Sequence, residues 1–293
     1  MKKKITMQAV KSITFEQGCN EYLCNCKARN LREGTLKHYR ECFKTLYKYI
    51  DPQIPINSMD KSTLDNFVIE FKSRSKDVKD ITLYTYSRDL KTLMYYFMRC
   101  DYLEAFKIQL MKADKEPIEC YTDAELKALL KKPSLKECSF TEYKSWVIIN
   151  FLLSTGIRSN SLINIKVKDL DFDNEVVHIK VTKNRKSLII PLNNTINKIV
   201  LEYLQIRQYT SDDDYLFCNV YGNKLTKSTI YHSLFEYNKS RNVIKTGIHR
   251  YRHTFAKKWV TSGGNIVVLQ KILGHSSLAI TENYINVLVS DMK

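Results

Sequence analysis

The chain has 293 residues, with 47 Lys+Arg against 31 Asp+Glu and a net charge of +16. That length suits two domains, and the basic balance points to a polyanion, either nucleic acid or an anionic membrane surface. No apolar run could span a bilayer, the basic start Met1-Lys2-Lys3-Lys4 lacks a signal-peptide apolar stretch, and the eight Cys include no Cys-x-x-Cys. The Cys therefore read as reduced thiols, mostly core, in a cytoplasm, and double-stranded nucleic acid is the expected partner, with no membrane.

A helix is predicted from Thr14 to Arg29 through Phe15, Cys19, Tyr22, Leu23 and Cys26, broken by Gly34. A second carries Leu36, Tyr39, Phe43, Leu46, Tyr47 and Ile50, and Pro52 and Pro55 punctuate the chain after it. Asp60 is the expected N-cap of a third helix bearing Leu64, Phe67, Val68 and Phe71. Residues 73–80 read as a polar loop, and a fourth helix runs over 81–99. Together these make a helical module over residues 12–111, followed by a charged linker over 112–119 and a second domain over 120–293. Residues 1–113 hold 21 Lys+Arg against 13 Asp+Glu, and the remainder 26 against 18. Both halves are net +8, which suits two modules gripping one duplex from opposite sides.

The second domain opens on a capping box, Thr122-Asp123-Ala124-Glu125. An apolar helix over Trp146–Leu153 ends at Gly156 and is followed at once by Arg158. Two β-patterned runs, Glu175–Val181 and Ser187–Pro191, flank a cation-dense turn, Thr182-Lys183-Asn184-Arg185-Lys186. Helices are expected over 194–208 and 226–239. The acidic run Asp212-Asp213-Asp214 reads as solvated loop rather than a metal site, because three adjacent loop residues do not readily face one ion. No metal-ligand cluster and no cofactor motif is found.

The chemistry concentrates near the end. His249 and Arg252 fall on the first turn of a helix, His275 follows a helix-ending Gly274, and Tyr284 comes later. Arg grips phosphate oxygens in a fork, His shares protons near neutral pH, and Tyr can act as a covalent nucleophile. His253 is one step past Arg252 and reads as structural, facing elsewhere, while His38, His178 and His232 read as ordinary surface or half-buried residues.

Four segments in this order resemble the tyrosine recombinases of the phage-integrase family. They are Thr155-Gly156-Ile157-Arg158 with Leu162 and Lys168-Asp169-Leu170-Asp171; Lys183, eight residues before Pro191-Leu192; His249-x-x-Arg252-His253-Thr254-x-Ala256; and Leu273-Gly274-His275 with Tyr284. The resemblance covers essentially the whole chain. It implies a mainly α fold: a SAM-like helical core-binding module, then a mainly helical catalytic domain with a small antiparallel sheet. It also implies site-specific recombination through a 3′-phosphotyrosyl intermediate, without metal or ATP.

In that reading Arg158 and Arg252 hold the phosphate oxygens, Lys183 protonates the leaving 5′ oxygen, and His249 is the candidate base. His275 bonds the phosphate or positions Tyr284, the nucleophile. The implied partners are double-stranded DNA with inverted-repeat core sites and further copies of the chain, a dimer per site and a tetramer in synapsis. The apolar end after Tyr284 reads as docking on a neighbouring protomer. Two departures stand out: Ser161 occupies a position where the family usually has an acidic residue, and no arm-binding domain precedes the helical module. The competing readings are a type IB topoisomerase and a DNA-binding accessory protein with vestigial catalytic residues.

Overall fold

The computed structural model describes residues 13–75, 77–114, 119–182, 186–278 and 281. The chain divides into two compact units, Met1–Glu116 and Pro117–Lys293.

The first unit packs four helices: α1 (Phe15–Ala28), α2 (Glu33–Leu46), α3 (Ser62–Arg74) and α4 (Asp80–Arg99). Thr14 caps α1 in a reciprocal box with Gln17. The break after α1 falls at Asn30, which takes the left-handed conformation (φ 53°). Gly34 is not the breaker expected from the sequence; it lies inside the first turn of α2. That helix ends at Leu46, and Tyr47–Ile50 form turns beyond it. Lys61, not the expected Asp60, is the residue that caps α3; Asp60 stands one place earlier and accepts from the Ser62 amide at 2.9 Å and the Ser62 hydroxyl at 2.6 Å. The helices bury their apolar stripes together, with Phe15, Leu46, Phe67, Leu83, Leu90 and Phe97 at the centre. After α4 the chain is irregular from Glu104, yet Ile108 is buried and Phe106, Leu110 and Met111 pack on the same core.

The second unit is built round α6 (Phe140–Thr155). This helix is apolar on all sides and so belongs in the middle of a domain. It packs against α5 (Asp123–Leu130), α8 (Asn194–Arg207), α9 (Lys227–Ser240) and α10 (Ile248–Thr261). The Thr122–Glu125 capping box opens α5 as expected, and a single turn, α7 (Ser159–Leu162), follows α6. A small antiparallel sheet lies beside these helices in the order β1 (Leu170–Asp171), β2 (Val176–Ile179), β3 (Leu188–Pro191). Its register pairs Val177 with Ile190, both buried. The sequence reading found the two longer strands but not β1, whose two residues are too short to show an alternating pattern.

The last helix described, α11 (Ile266–Leu273), packs on α10 through Leu269, Leu273 and Ala256. Burying each such Leu contributes roughly 1.5–3 kcal/mol, which fixes the position of the α11 end. Among the described residues no helix is long and apolar enough to cross a membrane.

One smaller expectation needs correction, and two others gain detail. Only Cys19, Cys26, Cys42 and Cys218 of the eight free cysteines are buried, and Cys24 is exposed. The acidic run is an exposed loop as expected, and on it Asp213 pairs with Lys166 at 2.8 Å and Lys168 at 2.6 Å, which holds its carboxyl down at about 2. Asp214 closes its own turn by accepting from the Thr210 amide. His38 lies at the surface as expected, and its Nε2 is 2.6 Å from the carboxylate of buried Asp89.

Candidate active site

Two helices of the second unit end in the same way. Gly156 caps α6 and Gly274 caps α11, both left-handed at φ 61° and 60°. Neither position tolerates a side chain. A Cβ on Gly156 would lie 2.4 Å from Phe255 Cδ1, and one on Gly274 would lie 2.8 Å from Leu188 Cδ1. The two glycines let the negative ends of the two helix dipoles approach one point.

Arg252 occupies that point. It is only 5% exposed. Its Nη1 donates to the Gly156 carbonyl at 2.7 Å, and its Nη2 donates to the Leu273 carbonyl at 2.8 Å. Nη2 is also 2.8 Å from His275 Nε2. Arg158 reaches the same place from the other side. As the residue that starts α7, it sends Nη1 to the Leu273 carbonyl at 3.0 Å and towards the Gly274 carbonyl at 3.4 Å. One backbone oxygen, that of Leu273, thus holds both guanidiniums. Carbonyl dipoles satisfy the N–H donors while leaving the positive charge in place to act on an incoming anion.

His275 completes the cluster. Its Nδ1 is 2.8 Å from Thr281 Oγ1. Burial and the charges of Arg252 and Arg158 lower its pKa to about 4, so the ring is neutral at physiological pH. His253 was expected to face away, but it is electrically part of this region. Burial, His249 and Arg252 lower it to about 4, and it contributes to the shift at His275. His249 itself is exposed on the first turn of α10, one turn before His253.

Arg158, Gly274 and His275 line a cleft of about 490 Å³, together with Thr182, Lys186, Leu188, Gln270, Lys271 and Ser276, with Arg252 buried behind them. Thr182 and Lys186 sit at the two feet of the cation-dense turn, joined by a bond from Thr182 Oγ1 to the Lys186 carbonyl at 2.5 Å. Ser161, 5% exposed, ties the same turn down by donating to the Val181 carbonyl at 2.9 Å. The position where the family usually carries an acid therefore makes a neutral tether here, and Arg158 donates instead to helix-end carbonyls.

Of the six residues singled out in the sequence, the structure brings Arg158, Arg252 and His275 together and puts His249 on the turn next to them. Lys183 and Tyr284 lie outside the described residues. Sequence reading missed Thr281 and Thr182. A lone hydroxyl in a short polar stretch carries no spacing signal of its own. Among the described residues, no group of three or more His, Cys, Asp or Glu could hold a metal ion.

Comparison with known proteins agrees with this geometry. XerA of Saccharolobus solfataricus, a tyrosine recombinase, is 28% identical over 269 residues, covering 89% of this chain and 84% of its own length. XerC of Staphylococcus aureus, also a tyrosine recombinase, is 26% identical over 267 residues, covering 88% of each chain. The Tn1549 transposon integrase, solved in complex with a circular intermediate DNA, superposes with a TM-score of 0.77 at 24% identity, covering 93% of this chain and 95% of that one, and so shares its fold. The phage integrase SAM-like domain matches residues 18–115, and the phage integrase family matches residues 120–290. With the fold, the arginine cluster and these matches in agreement, the chain belongs to the phage integrase family.

Proposed function

We propose that the chain is a site-specific DNA recombinase of the tyrosine type, cutting and rejoining strands through a 3′-phosphotyrosyl intermediate on Tyr284. The observation that carries the mechanism is the meeting of Arg158 and Arg252 on the Leu273 carbonyl, with Arg158 and His275 lining the adjoining cleft. Attack on a phosphodiester builds negative charge on the non-bridging oxygens, and two preset guanidiniums stabilise it from two sides. Losing one such donor typically costs on the order of 3–4 kcal/mol in the transition state.

The remaining roles are assigned on the sequence pattern. Tyr284 attacks the phosphorus, and the field of the two arginines favours its phenolate, since a free tyrosine loses its proton only near about pH 10. His249 takes that proton. Lys183 delivers a proton to the departing 5′ oxygen. The phosphotyrosyl bond stores the energy of the broken one, so resealing needs neither metal nor ATP.

The partner is double-stranded DNA with inverted-repeat core sites, held by a core-binding domain over 12–111 and a catalytic domain over 120–293 joined by the 112–119 linker. Two copies per site and four in synapsis would act in a cytoplasm on a mobile element. The net charge of +16 supports a duplex partner.

A nicked suicide substrate tests this reading. Wild type should form a covalent adduct in EDTA, Tyr284→Phe should bind DNA and form none, and an adduct in that variant would move the nucleophile elsewhere. Lys183→Ala should be slow on ordinary DNA and recover on a 5′-bridging sulfur, which leaves without a proton; equal loss on both would make Lys183 a binding residue. Joining of two different duplexes separates recombination from topoisomerase-type relaxation.

A further inference from the structure

We propose that Thr281 is a positioning residue: its hydroxyl accepts from His275 Nδ1–H and so holds the neutral ring where Nε2 accepts from Arg252. The assignment rests on counting donors. A guanidinium offers five N–H groups and no lone pair. With Arg252 Nη2 at 2.8 Å from His275 Nε2, that ring nitrogen has to be the acceptor. An imidazolium has no acceptor nitrogen, so the ring is neutral and its single proton sits on Nδ1. Nδ1 lies 2.8 Å from Thr281 Oγ1, and the bond therefore runs from Nδ1–H to the hydroxyl oxygen. Thr281 is fully buried, so this acceptor cannot turn away to water.

The bond does two things at once. It orders a relay from Thr281 through His275 to Arg252, and from there to the Gly156 and Leu273 carbonyls. It also pins the chain three residues before Tyr284 to the arginine cluster. In this state His275 has no Nε2 proton to give a phosphate. Its first task is to orient Arg252, and Nε2 becomes a donor to the phosphate only after the ring releases that arginine and either takes up a proton there or moves its single proton across from Nδ1. The effect on cleavage rests on the recombinase reading; the tautomer does not.

The test uses the full chain labelled with ¹⁵N-histidine at pH 7, with the His275 signals assigned by their loss in His275→Asn. Wild type and Thr281→Ser should show Nδ1 protonated and Nε2 bare. Thr281→Val, nearly isosteric but without the hydroxyl, should free the ring from Arg252 and let the other tautomer gain population, because the buried Nδ1 proton loses its acceptor. It should keep DNA binding while adduct formation falls roughly 10–100-fold, the usual cost of removing a group that orients a working imidazole in metal sites. Thr281→Ser should restore adduct formation to within a few-fold.

The proposal is overturned if wild-type His275 carries its proton on Nε2 or is charged at pH 7. It is equally overturned if the Thr281→Val spectrum matches wild type, or if Thr281→Ser behaves like the Val variant. Should Thr281→Val fail to fold, the wild-type and Thr281→Ser spectra still decide. A wild-type chain with the expected tautomer but no covalent adduct would uphold the assignment and overturn the recombinase reading instead.

Discussion

Asp89 of the first unit and Arg252 of the second are both buried charged side chains, and the two are held in opposite ways. In the first unit Asp89 is 3% exposed and meets His38 at 2.6 Å and Arg88 at 3.2 Å, a basic group on each side. Its charge acts inward: with burial, it pushes the Cys42 thiol up. In the second unit Arg252 is 5% exposed and is held by two helix-end carbonyls and a neutral imidazole. A charge answered by a counter-charge is spent on the fold. A charge held by dipoles keeps its field for a ligand.

The sharpest way to break this comparison is to remove both charges and read the same assay. Arg252→Ala should lower the rate of adduct formation on a suicide substrate by about 10²–10³ or more. Arg252→Lys should not rescue it, because an ammonium lacks the planar fork that spans the Gly156 and Leu273 carbonyls. Asp89→Asn should lower stability by about 1–3 kcal/mol, the cost of a weakened buried polar network, and leave the rate per folded molecule unchanged. A fall in rate for Asp89→Asn at full folding would show that the first unit's buried charge reaches the chemistry.

Much of this contrast was legible in the sequence, for a definite reason. Arg158, Arg252 and His275 stand in spacings set by side-chain chemistry, and the glycines before Arg158 and His275 mark helix ends by backbone chemistry. The helices of both units were legible from their apolar period. What could not be read is what holds the arginines. Their acceptors are the carbonyls of Gly156, Leu273 and Gly274, and a carbonyl carries no residue identity. The same holds for the two-residue strand β1, for Gly34 accommodated in a first helical turn, and for Thr281, whose meaning depends on a ring nitrogen six residues away. Asp213 lies on an exposed loop as the sequence suggests, but its pairing with Lys166 and Lys168 is set by the fold and has no spacing signal.

A gentler probe is pH. His275 and His253 are both lowered to about 4 by burial and nearby positive charge, against about 6.5 in an unfolded chain. Between those values the unfolded chain binds protons that the folded one refuses. The stability contributed by the neutral imidazoles is therefore full above about pH 6.5 and is lost as pH falls towards 4. Melting at pH 7 and pH 4.5 should show a larger drop for wild type than for His253→Gln or His275→Gln. Equal drops would mean that the cluster accommodates a protonated ring, and that its positive field is weaker than the geometry implies.

The smallest effect expected is at Ser161, where the comparison can be sharpened rather than broken. Its hydroxyl donates to the Val181 carbonyl from a site 5% exposed, next to the residue that starts the Lys183 turn. Ser161→Ala removes one hydrogen bond and should cost about 0.5–1.5 kcal/mol, rising towards about 3 kcal/mol if the carbonyl is left without a partner. Ser161→Glu is the harsher change. It places a longer, charged side chain in a filled site, and it should lower the melting temperature rather than supply the carboxylate the family usually has there. If Ser161 only tethers the turn, Ser161→Ala should slow cleavage of ordinary DNA more than cleavage of a 5′-bridging sulfur substrate, because the step that suffers is proton delivery from Lys183. If both substrates slow alike, the tether acts instead through Arg158, three residues earlier. A Ser161→Glu chain that melts at the wild-type temperature and cleaves faster would show that a carboxylate fits here after all, and that charge can support the arginines alongside the helix-end dipoles.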